Sequence, residues 1–82
     1  MDPDDIRAIL EEALPDCTAM INDDAGDGEH FSAEVVSPAF EGLPLVRQHK
    51  LVYEALGPRV GTDIHALALR TFTPARWKAR TP

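Results

Sequence analysis

The stretch Phe40-Glu41-Gly42-Leu43-Pro44-Leu45-Val46-Arg47-Gln48-His49-Lys50-Leu51-Val52-Tyr53-Glu54-Ala55-Leu56 decides the fold. A tight turn feeds directly into a helix in which Leu45, His49, Val52 and Leu56 recur at the period of one helical face, while Arg47, Lys50 and Glu54 fall on the other side. Gly57 and Pro58 stop it, because glycine accepts the left-handed cap and proline cannot continue the hydrogen-bond ladder. An alternating run ending at Ser37 precedes this helix and another beginning at Ile64 follows it. The result is a strand-helix-strand crossover, which almost always joins parallel strands with a right-handed turn.

Toward the N-terminus, Asp2-Pro3 reads as a helix start, with the Asp carboxylate capping and proline at the first helical position. Asp4 and Asp5 favour that end electrostatically. Ile6, Ile9, Leu10, Ala13 and Leu14 form one apolar stripe, and Pro15 closes the run. Cys17 to Asn22 alternates as a strand with Cys17, Ala19 and Ile21 on one face. The polar, glycine-rich Asp23–Glu29 segment then connects it to a second strand, His30 to Ser37, with Phe31, Ala33 and Val35 on one face. Beyond the central helix, Ile64 to Thr71 reads as a third strand on which His65, Leu67 and Leu69 share a face. Thr73-Pro74 repeats the cap-then-proline start, predicting a short closing helix over Ala75 to Ala79 with Trp77 packed down. The order helix, strand, strand, helix, strand, helix predicts an α+β domain: a three-stranded mixed sheet with helices on one face.

The 82 residues are read as one domain. No apolar run approaches the roughly 18 residues of a membrane span and no signal-peptide pattern opens the chain, so a soluble, cytoplasmic protein with no membrane partner is expected. The single cysteine, Cys17, cannot form an internal disulfide. It reads as a small buried hydrophobe at the start of a strand, with a reactive thiol as the alternative. The net charge of -6 conceals a division: through Gly42 there are twelve acidic residues against one basic, and from Leu43 onward two against seven. A uniformly basic surface, the footprint of a nucleic-acid binder, is absent.

Parallel second and third strands begin at the same end of a sheet, which brings His30 and His65 to one rim. Two imidazoles there are half a coordination shell for zinc, iron or copper, and a solvated His30 beside a partly buried, satisfied His65 is the alternative. His49, on the apolar face of the central helix, is expected as a core histidine bonded to backbone or to a neighbour. Asp23, Asp27, Gly28 and Glu34 fit the first, fifth, sixth and twelfth positions of an EF-hand loop, but Ala25 occupies the third and strands flank it, so the loop reads as solvated. Phosphate-cradling, nucleophile-elbow and metalloprotease motifs are missing, and so thin a core scarcely encloses a substrate pocket, so no catalysis is expected.

Gly26-Asp27-Gly28-Glu29-His30-Phe31, Val35-Val36-Ser37-Pro38-Ala39-Phe40-Glu41-Gly42, His49-Lys50-Leu51-Val52-Tyr53, Ile64-His65-Ala66-Leu67, Thr73-Pro74 and Trp77 together resemble the BolA family, over nearly the whole chain. The Gly-Asp-Gly-x-His-Phe stretch is most similar to the YrbA (IbaG) branch. The resemblance implies a type II KH-like fold and a heterodimer with a monothiol glutaredoxin, bridged by a 2Fe-2S cluster. In that arrangement the partner's cysteine and a glutathione thiol hold one side of the cluster and the BolA-like protein supplies the rest; the isolated protein, a monomer or weak homodimer, carries no cofactor. By position His65 matches the family's strand-three ligand. His30 is the choice for the second, from the loop where other members use histidine or cysteine, with Asp27 standing where some members have cysteine. His49 and Cys17 remain further candidates. Two departures stand out. The family's adjacent Arg-His becomes Arg47-Gln48-His49, displacing the arginine by about 100° around the helix. Without a loop cysteine, ligation from this side falls to neutral imidazole, which raises a cluster's potential as in Rieske centres. The family also implies an alternative, a transcriptional regulator binding DNA through the KH-like surface, with Arg47, Lys50, Arg59, Arg70, Arg76, Lys78 and Arg80 on phosphates.

Overall fold

The computed structural model describes residues 1–80 and contains three helices and one three-stranded sheet. Helix α1 (Pro3–Ala13) starts where the Asp2 carboxylate accepts from the Asp4 N–H at 3.0 Å. It buries Ile6 and Leu10 completely. Strand β1 (Thr18–Asp23) pairs antiparallel with β2 (His30–Val36), Thr18 opposite Val36 and Asp23 opposite Phe31. Strand β3 (Ala66–Phe72) pairs parallel with β2, His30 opposite Ala66. The order β1-β2-β3 makes β2 the central strand. Its inward side chains Phe31, Ala33 and Val35 are no more than 2% exposed, and the core around them takes in Ile6, Leu10, Phe40, Val52, Leu56 and Ile64.

Helix α2 (Leu45–Leu56) is the crossover between β2 and β3. A 3-10 turn at Pro38–Phe40 delivers the chain to it and buries Phe40. Ser37 secures that turn twice: its hydroxyl accepts from the Ala39 N–H at 3.1 Å and donates to the Pro15 carbonyl at 2.7 Å, tying the end of β2 to the exit of α1. The α2 stripe differs from the one read in the sequence. Gln48, Val52 and Leu56 point inward, whereas Leu45 is 55% exposed. The inward position is polar because the preceding turn leaves carbonyls to satisfy. The Gln48 amide donates to Leu43 O at 2.9 Å and its Oε1 accepts from the Thr71 hydroxyl at 2.7 Å, clamping α2 to its entry turn and to β3.

Strand β3 begins at Ala66, later than the alternation from Ile64 indicates. Ile64 instead closes a tight loop: its N–H donates to Arg59 O at 2.9 Å, its carbonyl accepts from the Gly61 N–H at 2.8 Å, and its side chain is fully buried. Helix α3 (Pro74–Ala79) is capped by the Thr73 hydroxyl, which accepts from the Arg76 N–H at 3.2 Å. Helices α1 and α2 cover one face of the sheet, but α3 turns toward the other. Trp77 packs edge-on against Phe72 at 5.2 Å, and Phe72 alternates with the inward Leu69 and Thr71. Arg80 lies 3.7 Å above Trp77 and 3.8 Å from Glu34, on the same outer face. The short helix covers an apolar end of the outer face that α1 and α2 cannot reach. Among the described residues no helix is long and apolar enough to cross a membrane.

Candidate metal centre

Parallel pairing puts the entry ends of β2 and β3 side by side, and the backbone holds them there. The Glu29 carbonyl accepts from the N–H groups of both His65, at 2.8 Å, and Ala66, at 3.2 Å. His65 is therefore the residue before β3, not a strand residue, and it is solvent-exposed where a partly buried ring was the alternative. His30, the first residue of β2, is exposed too, and the two ring centroids lie 6.2 Å apart with planes tilted by 50°. Both rings stand at one rim, facing water.

The loop before β2 is organised by carboxylates. Asp23 Oδ2 accepts from the Gly28 N–H at 2.9 Å, and Gly26 and Gly28 each take φ of 70°, a conformation that favours glycine. Asp27 Oδ1 accepts from the N–H groups of Glu29, at 2.9 Å, and His30, at 3.1 Å, while its Oδ2 lies 2.7 Å from His30 Nδ1. The backbone N–H of Glu29, followed by the contacts with His30, holds the Asp27 carboxyl below its usual range. One donor atom each from Asp27, Glu29 and His30 lie within 4.8 Å of one another. Glu29 was not singled out in the sequence; an acidic residue beside a histidine is too common a signal.

The other candidates lie elsewhere. Cys17 precedes β1 at the end that pairs with Val36, the far end of the sheet from His30. Its burial and the nearby Glu11 push the thiol up to about 11. His49 is half-buried on α2, lining a groove of about 190 Å³ with Leu45, Leu69, Thr71 and Arg76. The satisfied ring expected there is not found, since its buried Nε2 has no hydrogen-bond partner among the described residues. The basic residues are dispersed. Arg70 and Arg76 share that groove, Lys50 pairs at 4.0 Å with Glu54, Arg59 donates to Leu56 O, and Arg80 rests on Trp77. Arg47 and Lys78 are exposed.

The rim offers two accessible imidazoles, with an oriented carboxylate behind one of them. That set is of the kind that suits borderline metals.

Comparison with known proteins agrees with this architecture. The family model described as BolA-like protein matches residues 10–76. BolA-like protein 1 of Mus musculus is 41% identical over 80 residues, an alignment covering 89% of this chain and 58% of that protein. The chain thus spans a little over half the length of this curated relative. The DNA-binding transcriptional regulator BolA of Haemophilus influenzae is 40% identical over 55 residues, covering 67% of this chain and 53% of that one. The solved structure of a bolA protein homologue from Coxiella burnetii superposes with a TM-score of 0.81 at 39% identity, covering 95% of this chain and 97% of the other.

Proposed function

The chain belongs to the BolA-like protein family, and from that premise we propose that it is a non-enzymatic adaptor in iron-sulfur cluster assembly or trafficking and in iron homeostasis. It would bind a 2Fe-2S cluster jointly with a monothiol glutaredoxin. The observation that carries this reading is the pair of exposed rings of His30 and His65, 6.2 Å apart. Both are accessible to a partner. Two imidazoles on one side of a cluster otherwise held by thiolates are chemically reasonable, because Rieske centres bind one iron through two histidines. Cys17 lies at the far end of the sheet, so no thiolate of this chain stands at the rim.

In such a complex the partner cysteine and glutathione supply the sulfur ligands. This chain would contribute two imidazoles from one rim, the His65 backbone tied to Glu29 and the His30 ring to Asp27. Coexpression with a monothiol glutaredoxin is expected to yield a coloured heterodimer containing iron and acid-labile sulfide. His65→Ala should change its visible absorption and shorten the cluster's lifetime. A variant complex with the spectrum and lifetime of the wild type would remove His65 from the ligand set.

A second reading is favoured by one relative, named a DNA-binding transcriptional regulator, and by Arg70 and Arg76 lining one groove. The net charge of -6 and the engagement of Arg59 and Arg80 within the fold weigh against it.

A further inference from the structure

Resting on the cluster reading above, we propose that Asp27 is a positioning residue: its carboxylate fixes the proton of His30 on Nδ1 and thereby presents a bare Nε2 to the metal. A neutral imidazole has one N–H and one lone pair, and the partner of one nitrogen decides which is which. Asp27 Oδ2 stands 2.7 Å from His30 Nδ1. An ionised carboxylate only accepts, so the ring must donate from Nδ1.

The orienting group is itself held. Asp27 Oδ1 receives the N–H groups of Glu29 and His30, which fixes the carboxylate plane and leaves Oδ2 directed at the ring. Both side chains are well exposed, so the contact adds little to stability and its effect is orientation. This geometry also assigns Asp27 a different task from the sulfur that some family members carry at its position. Its inner oxygen is committed to the backbone and its outer one to the ring, so it acts through His30 and not as a ligand. The same short segment also ties down the His65 backbone, because the Glu29 carbonyl receives the His65 N–H.

Asp27→Asn tests this with almost no change of shape. The asparagine Oδ1 keeps the two backbone bonds, since turning the amide over would abandon both. Its NH2 then occupies the place of Oδ2 and donates toward Nδ1, forcing the ring proton onto Nε2, the nitrogen the metal needs.

The first measurement needs no metal and no partner. In long-range 1H-15N spectra of the 15N-labelled protein at about pH 8, where an ordinary imidazole is neutral, wild-type His30 should show an Nδ1-protonated ring. Asp27→Asn should show an Nε2-protonated one with His65 unchanged. A wild-type His30 already protonated on Nε2 overturns the proposal. The second uses the cluster-loaded glutaredoxin complex. Loss of the outer-shell carboxylate is expected to speed cluster loss by about 10- to 100-fold and to shift the reduction potential upward, with His30→Ala at least as severe. Asp27→Asn matching the wild type in both while His30→Ala fails would eliminate Asp27 alone. Both variants matching the wild type would eliminate His30 as well, and absence of any cluster in the wild-type complex would sink the parent reading while the ring measurement still reports on the tautomer.

Discussion

Cys17 is half-buried beside Glu11, and both its burial and that negative neighbour disfavour the thiolate, so its pKa rises to about 11. The sign of the linkage follows. Between about 9 and 11 an unfolded chain has already lost this proton while the folded one keeps it, so this residue's contribution to stability is present below that range and lost as pH rises through it. Urea midpoints measured from pH 8 to 10.5 should therefore fall more steeply for the wild type than for Cys17→Ala. Parallel curves would refute the buried-thiol account. Asp27 shifts in the opposite direction, and any contribution it makes is present at neutral pH and disappears under acid. These two residues, both candidates on composition, are thus separated by surroundings: one is kept protonated at the wrong end of the sheet, the other ionised beside a ring.

At the scale of elements, Gln48 ties α2 to its neighbours. It is 6% exposed and bridges the carbonyls of the entry turn to the Thr71 hydroxyl on β3. Gln48→Ala leaves those groups without partners, and the cost of stranding buried polar groups is about 1–3 kcal/mol. Chemical denaturation should show that loss, against little change for Val46→Ala on the exposed side; equal midpoints would mean that water replaces the amide at no cost. This residue also marks where sequence reading fails. The order and type of the elements were legible because prolines and glycines punctuate them and the α1 stripe is regular. On α2, Val52 and Leu56 were read correctly as inward, but Gln48 was missed and Leu45 wrongly included, because a glutamine counts as polar until its carbonyl partners are visible. The start of β3 was misread because Ile64 continues the apolar alternation, although its backbone folds back on Arg59. The side taken by α3 was beyond reach, since a helix of six residues shows no stripe and its placement depends on the parity of Phe72. At the rim, parallel pairing was enough to bring His30 and His65 together, but the Asp27 contact depends on the loop's conformation. Only the Asp-x-x-His spacing hinted at it.

Over the whole molecule, the division of charge along the chain becomes a division across the sheet. The acidic first half supplies α1, β1 and β2, and the basic second half supplies α2, β3 and α3, so the boundary runs between the two parallel strands. Seven of the eight lysines and arginines lie on the second side, and there Arg59 and Arg80 are already engaged. Duplex DNA should therefore bind only at low salt and without sequence preference, weakening steeply as salt is raised and further in Arg70→Ala/Arg76→Ala. Sequence-selective retardation at physiological ionic strength would instead favour the regulator reading. The parallel union of β2 with β3 has a last implication for how such a protein is made. A nascent chain that has left the ribosome only as far as Leu56 carries one ring on a hairpin, and its fellow arrives after the crossover has shut its loop. The two-ringed rim is therefore a late product of synthesis, complete only once the third strand has docked beside the second.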